Sequence, residues 1–227
     1  MKLSVIIPVY NEQATLVDIL ERVKRVPISK ELIVINDGST DRTKKILKFY
    51  IQQKGFSVVT FPKNQGKGAA VRKGIAIAKG DYIVIQDADL EYNPADWKRL
   101  LKPVSQGAKV VYGSRFLGAY RVSLTNIFHY LANRLLTGFT NLLYGSHLSD
   151  METAYKLVER KLAQSLPLIS ERFEIEPELT AKIIKKHITI HEVPISYAGR
   201  EYHEGKKITW RDGLSSLWAI VYYRFFN

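Results

Sequence analysis

The sharpest chemical feature of the chain is Asp87-Ala88-Asp89-Leu90-Glu91, directly after the apolar run Tyr82-Ile83-Val84-Ile85. Carboxylates at i and i+2 of an extended segment point to one side. Held close, they raise each other's pKa unless a cation separates them, and an all-oxygen site suits Mg²⁺ or Mn²⁺. A divalent ion there would hold a diphosphate; a solvated loop or a helix cap would use the same residues. Asn36-Asp37-Gly38-Ser39-Thr40-Asp41 follows another apolar run, where Gly permits a turn and Ser39 or Thr40 caps the next helix. Asn64-Gln65-Gly66-Lys67-Gly68-Ala69-Ala70 is a glycine-rich loop opening a helix, suited to close approach of a nucleotide or simply to a helix start. It lacks the glycine spacing and Lys-Ser/Thr pair of a P-loop, and the chain has no GxGxxG, which disfavours a dinucleotide oxidoreductase. Late in the chain, the polar, basic segment Gly199 to Lys207 follows Val193-Pro194-Ile195-Ser196 and could close over phosphates.

These segments sit between elements whose periodicity is legible. Leu3–Val9, Glu31–Asn36, Ser57–Phe61, Tyr82–Gln86 and Lys109–Tyr112 read as strands. Between them, Leu16, Ile19, Leu20 and Val23 recur at helical spacing, as do Ile46, Leu47 and Tyr50, and Asn93-Pro94 supplies an N-cap with Pro at the first helical position. Strand–helix alternation of this kind predicts βαβ units and a mostly parallel sheet, with ligands at the carboxyl ends of the strands. The second half predicts a long helix from Ser123 to Tyr144 with Leu124, Ile127, Phe128, Leu131, Leu135, Phe139 and Leu142 on one stripe. A short strand over Met151–Leu157, a helix over Glu176–Lys186, a strand over Ile188–Val193 and an aromatic helix over Trp210–Phe226 follow. No repeat or linker interrupts the chain, so one domain over 1–227 is expected.

The chain of 227 residues carries 34 Lys+Arg against 22 Asp+Glu, a net charge of +12. With 46% hydrophobic residues it has the balance of a globular domain. The absence of cysteine excludes disulfides, thiolate nucleophiles and Cys-ligated zinc. No Asp or Glu occurs from Trp97 to Ser149, whereas Lys98, Arg99, Lys102, Lys109, Arg115, Arg121 and Arg134 do, so this stretch suits an anionic surface. Nucleic acid would feel the same field, but no nucleic-acid motif accompanies it. Met1-Lys2-Leu3-Ser4 runs straight into an apolar strand without a cleavage site, so an intracellular protein is expected. The longest uncharged stretch, Leu135 to Ser149, falls short of the ~20 apolar residues of a spanning helix.

In this order and spacing, the motifs resemble family 2 glycosyltransferases, and within them the polyprenyl-phosphate (dolichyl-phosphate) sugar synthases. Val5 to Glu12, Asn36 to Asp41, Asn64 to Gly74, Asp87-Ala88-Asp89, Gly113-Ser114-Arg115-Phe116, Asp150, Glu178, Val193 to Ser196, Arg200 and Lys206 carry the resemblance. It implies a GT-A type αβα sandwich and inverting, metal-dependent transfer of a hexose from a nucleotide sugar to a polyprenyl phosphate. GDP-mannose is the favoured donor, with UDP-GlcNAc or UDP-glucose as others. The resemblance places Pro8, Tyr10, Glu12, Asp37, Lys67 and Asp87 at the nucleotide and Asp87, Asp89 and Glu91 at Mg²⁺ or Mn²⁺. It sets Arg200 and Lys206 on the diphosphate and Arg115 on the acceptor phosphate. Because Glu91, Thr125 and His129 depart from the mannosyl pattern, Arg121, His129 or Arg134 is expected to share the acceptor contact. The implied setting is peripheral, on the cytoplasmic face of a membrane or with a membrane-anchoring partner. The competing readings are transfer to a sugar hydroxyl, with Asp150 as base, and, more distantly, a basic nucleic-acid-binding module.

Overall fold

The computed structural model describes residues 1–53, 55–118, 127–200 and 210–226. Seven strands form one sheet: β1 (Leu3–Val9), β2 (Lys30–Asn36), β3 (Phe56–Thr60), β4 (Tyr82–Ile85), β5 (Val110–Ser114), β6 (Lys156–Glu159) and β7 (Ile190–Pro194). Their spatial order is β3-β2-β1-β4-β6-β5-β7. Neighbours are parallel except at β6, which runs antiparallel to both β4 and β5. The α/β class and the mostly parallel sheet agree with the sequence expectation. A sheet covered on both faces needs apolar residues on both, which is why β1 reads as a continuous apolar run rather than an alternating one.

Helices α1 (Leu16–Arg25), α2 (Thr43–Tyr50) and α4 (Trp97–Val104) cover one face. There Leu16, Ile19, Leu20, Leu47, Trp97 and Leu100 bury against Val5, Ile7 and Val34. Helices α3 (Lys67–Ile77), α5 (Ile127–Tyr144), α6 (Arg160–Ser165), α7 (Ile175–Lys185) and α8 (Trp210–Phe225) cover the other, with Val71, Ile175, Leu179 and Ile220 in a core that includes Ile6, Ile33 and Ile85.

Two boundaries depart from expectation. The strand expected over Met151–Leu157 begins only at Lys156, because Met151, Thr153 and Ala154 spend polar groups on side-chain partners off the ladder. Thr153 Oγ1 donates to Gly113 O at 2.6 Å, and Met151 N donates to Thr137 Oγ1 at 3.1 Å. The stripe of α5 is also largely inverted, Phe139 being the member of it that packs against the core. Thr137, Thr140 and Tyr144 are buried, whereas Phe128 (81%), Leu135 (74%) and Leu142 (82%) are exposed. The part of the expected helix before Ile127 lies outside the described residues.

Candidate active site

In an open α/β sheet the ligand crevice lies where the strand order reverses, outside the carboxyl ends of the strands. Here that point is between β1 and β4. The residues following β1, β2 and β4 are Tyr10 to Glu12, Asp37 and Gln86 to Glu91. Asn11 ties two of these ends together: its side chain accepts from Thr40 N at 2.8 Å and its own N–H donates to Ser39 Oγ at 3.0 Å. Pro8 and Tyr10 stay partly exposed beside this junction.

After β4 the chain turns rather than extending, with Leu90 at φ 66° and Glu91 N donating to Asp89 Oδ1 at 3.2 Å. A positive φ is uncommon for a residue with a bulky side chain. The turn sends the carboxylates of Asp87, Asp89 and Glu91 to separate partners. Lys67 Nζ lies 2.9 and 3.0 Å from the two oxygens of Asp87 and 3.2 Å from Glu176. Burial alone would lower the pKa of Lys67, but Asp87 and Glu176 outweigh it and hold the ammonium form. Asp89 lies 3.4 Å from the guanidinium of Arg200, which also reaches Glu12 at 3.2 Å. The Asp89 carboxyl is pushed up to about 7, first by burial and then by Asp87 and Glu91, with Arg200 opposing.

Three of these groups turn to partners within the fold. Glu91, close enough to Asp89 to raise its carboxyl, is one. Its oxygens accept from Tyr197 Oη at 2.7 Å and Arg200 N at 2.8 Å, so it latches the segment after β7 over the turn. Asp37 is buried with its carboxylate turned to the third loop, accepting from Gln65 N (2.7 Å), Gly66 N (2.8 Å) and Asn64 Nδ2 (2.8 Å). The glycines of that loop serve packing: a Cβ on Gly66 or Gly68 would come within 2.3 Å of Glu171 O or 2.5 Å of Ser170 O. Glu171 O also accepts from Ala69 N in the first turn of α3.

Among the residues expected at the acceptor, Arg115 and Asp150 form a buried fork. Asp150 accepts from Arg115 N (2.9 Å), Nε (2.7 Å) and Nη2 (2.7 Å) and is fully buried. The guanidinium lies over Tyr197 and Phe116, at 5.2 and 5.6 Å. Arg134, exposed on α5, covers Phe116 at 5.5 Å, and its Nη1 donates to Ser149 O at 3.4 Å. His129 is half-buried one turn earlier on the same helix. Arg121 and Lys206 lie outside the described residues.

The sequence reading missed Tyr197, Lys156, Glu152 and Glu176 altogether. A signal existed for Lys156: a lone lysine inside the apolar run Ala154 to Val158 needs a buried carboxylate. That carboxylate is Glu176, at 2.5 Å. Glu152 is half-buried, with Oε1 lacking a hydrogen-bond partner and its carboxyl raised to about 7, mainly by burial.

Mg²⁺ takes only one or two protein carboxylates and completes its shell with water and substrate phosphates. Asp87 and Asp89 fit that donor set: they share one turn, and the raised Asp89 carboxyl marks a place where added positive charge is favoured. Among the described residues no cluster of three or more acidic, histidine or cysteine side chains would cage an ion alone.

Residues 4–166 match the family described as Glycosyl transferase family 2. Among curated proteins, the chain is 31% identical over 226 residues to the undecaprenyl-phosphate 4-deoxy-4-formamido-L-arabinose transferase of Edwardsiella ictaluri, covering 96% of this chain and 65% of that one. It is 27% identical over 210 residues to the dolichol-phosphate mannosyltransferase of Pyrococcus furiosus, covering 91% and 59%. The chain therefore spans less than two thirds of either relative. Among solved structures, glucosyl-3-phosphoglycerate synthase from Mycobacterium tuberculosis, in complex with Mn²⁺, UDP and phosphoglyceric acid, superposes with a TM-score of 0.75 at 22% identity. That match covers 100% of this chain and 79% of the other, and it bears on the fold.

Proposed function

The chain belongs to glycosyl transferase family 2, with the GT-A fold, and from that premise we propose that it transfers a hexose from a nucleotide sugar to the phosphate of a polyprenyl phosphate, with inversion and a divalent cation. The observation that carries the donor half is the Asp87–Asp89 turn at the strand-order reversal, each carboxylate resting on a cationic side chain, Lys67 or Arg200. The curated relatives carry polyprenyl phosphates in their names, which supports the acceptor class.

Asp87 and Asp89 would hold Mg²⁺ or Mn²⁺, which when bound neutralises charge on the departing diphosphate. Arg200, which rests on Asp89 and Glu12, would pass to the diphosphate, and Lys206 is its proposed companion. The acceptor phosphate oxygen forms the new bond to the anomeric carbon as the bond to the nucleoside diphosphate breaks, the electron pair leaving with the diphosphate. A phosphate monoester has a second pKa of about 6 and is mostly dianionic at neutral pH, so it needs no general base. Arg115 is already neutralised by Asp150, so Arg134, exposed beside the Phe116 ring, is the better-placed contact for a phosphate. Asp150 is a poor base for hydroxyl transfer, with both oxygens on Arg115.

A thermal melt with GDP or UDP, with and without Mn²⁺ and a short-chain polyprenyl phosphate, tests the reading. Ligand at ~100 times Kd adds about 2.7 kcal/mol, or roughly 5–11 °C at this size. The expected result is a Mn²⁺-dependent shift with one nucleotide and a further shift with the lipid phosphate. GDP would point to mannose and UDP to glucose or GlcNAc. A shift with neither nucleotide would sink the donor site as drawn, and a sugar acceptor that outcompetes the lipid would favour the hydroxyl reading.

Helix α8, like α5, carries exposed apolar residues, Trp210 (72%), Trp218 (61%) and Phe225 (66%). The two helices pack together through Tyr144 Oη donating to Ile220 O at 2.8 Å, and Arg134, Arg211 and Arg224 are exposed along them. No helix among the described residues is long and apolar enough to cross a membrane. An apolar face with basic flanks suits an anionic membrane surface, and that is where the protein is proposed to meet its lipid substrate. Leu135→Asp with Trp218→Asp should abolish flotation with anionic vesicles at low salt, and undiminished flotation would reject this surface.

A further inference from the structure

A line of alternating charge runs from the donor turn into the core: Asp87, Lys67, Glu176 and Lys156. Lys67 opens α3 and rests both on Asp87 at 2.9 Å and on Glu176 at 3.2 Å. Glu176, in the first turn of α7, turns its other oxygen to Lys156 Nζ at 2.5 Å. Lys156 is fully buried at the start of β6, donates also to Thr153 O at 2.5 Å, and lies over the Tyr112 ring at 5.0 Å. Burial would raise the Glu176 carboxyl, but Lys156 and Lys67 outweigh it and keep it ionised. The first turn of a helix favours an anion there as well.

Stability does not account for such a line, because buried ion pairs are often no better than well-packed apolar residues of the same volume. Its position does. One end is the carboxylate on which the cation would sit, and Lys67 is shared between that carboxylate and Glu176. Lys67 already reaches both oxygens of Asp87, at 2.9 and 3.0 Å, and with its charge uncompensated by Glu176 it would hold them more tightly and repel a cation.

We propose that Glu176 is a positioning residue of the donor site, sharing the charge of Lys67 so that Asp87 stays able to exchange its lysine for a divalent cation. The inference rests on reading Asp87 and Asp89 as the cation carboxylates. It specifies a signature that a merely structural role lacks. Without Glu176 the uncompensated Lys67 grips Asp87, so Mn²⁺ affinity falls, while attraction for a metal-free diphosphate is kept or strengthened.

The experiment is calorimetric titration of the full chain in two arms: Mn²⁺ into protein saturated with UDP or GDP, whichever binds, and the same nucleotide without metal. For Glu176→Gln the expected result is a Mn²⁺ Kd raised about tenfold or more, the usual effect of losing a residue that orients a metal ligand. Metal-free nucleotide affinity should be equal to or above wild type, and adding Lys67→Gln should return the Mn²⁺ Kd toward wild type. If Glu176→Gln does not fold, Lys156→Gln with Glu176→Gln, which leaves no lone charge at Lys156, is read in the same way. A Mn²⁺ Kd within twofold of wild type, or equal losses in both arms, overturns the proposal. A wild-type protein whose nucleotide binding ignores Mn²⁺ overturns the donor-site reading and this inference together; a normal Mn²⁺ response in wild type and variant alike overturns this inference alone.

Discussion

Asp89→Asn is expected to lower sugar transfer by at least about a hundredfold, the cost typical of losing one group that stabilises developing charge, while leaving the fold intact. The side chain keeps its size and its place on the turn after β4, but no longer offers a cation a negative charge. A second measurement separates loss of function from loss of structure. A carboxyl of unfolded pKa about 3.9 that is held at about 7 when folded stays protonated in the folded state while the unfolded chain ionises. The ionised form is therefore disfavoured in the fold: the penalty is absent below about pH 4, grows between about pH 4 and 7, and is complete above that. The asparagine variant escapes it. In metal-free buffer the melting temperature of the variant minus that of wild type should rise from pH 4 to pH 7 and then level off. Activity within a few-fold of wild type would reject the metal assignment, and a flat difference across pH would reject the strained environment of Asp89.

Asp150→Ala is expected to produce the largest loss of stability. Arg115 makes its nitrogen contacts to a carboxylate that is fully buried, and its own side chain is only 9% exposed, so solvent does not screen the charge left behind. Removing one partner of such a pair costs about 3–5 kcal/mol, or roughly 6–20 °C in melting temperature for a chain of this length. Asp150→Asn, which preserves acceptor capacity for part of the fork, should lose less. Since the Arg115 guanidinium is stacked over Phe116 and Tyr197, the alanine variant should also disturb the segment that carries Arg200. A change smaller than about 3 °C, where roughly 2–4 °C accompanies each kcal/mol, would show that the guanidinium finds another partner or reaches water.

The elements of the first half are legible from their spacing and those of the second half less so, for a physical reason. The first strands and helices announce themselves by period because each is covered by neighbours close in sequence. Leu16, Ile19, Leu20 and Val23 bury where their spacing says they should. Placing Asp87 and Asp89 after an apolar strand was enough to put them at the carboxyl edge of a parallel sheet. In the second half the same logic inverts. The apolar stripe of α5 is as regular as that of α1, yet periodicity states only that a helix has two faces and not which one meets the core. Thr137 and Thr140 are buried because they have specific partners, Met151 N and Leu136 O, which no spacing rule reveals.

The alternation of strands and helices, the residues at the strand ends and the excess of positive charge follow from local periodicity and composition and are legible without the fold. Tertiary structure decided who partners whom. Glu91 became a latch for Tyr197 and Arg200, Asp37 a brace for the loop at Gly66, and Glu176 the counter-charge of Lys67, since each contact joins residues between 27 and 109 positions apart. A carboxylate takes its role from the cation or N–H nearest to it in space, and only the folded chain sets that distance.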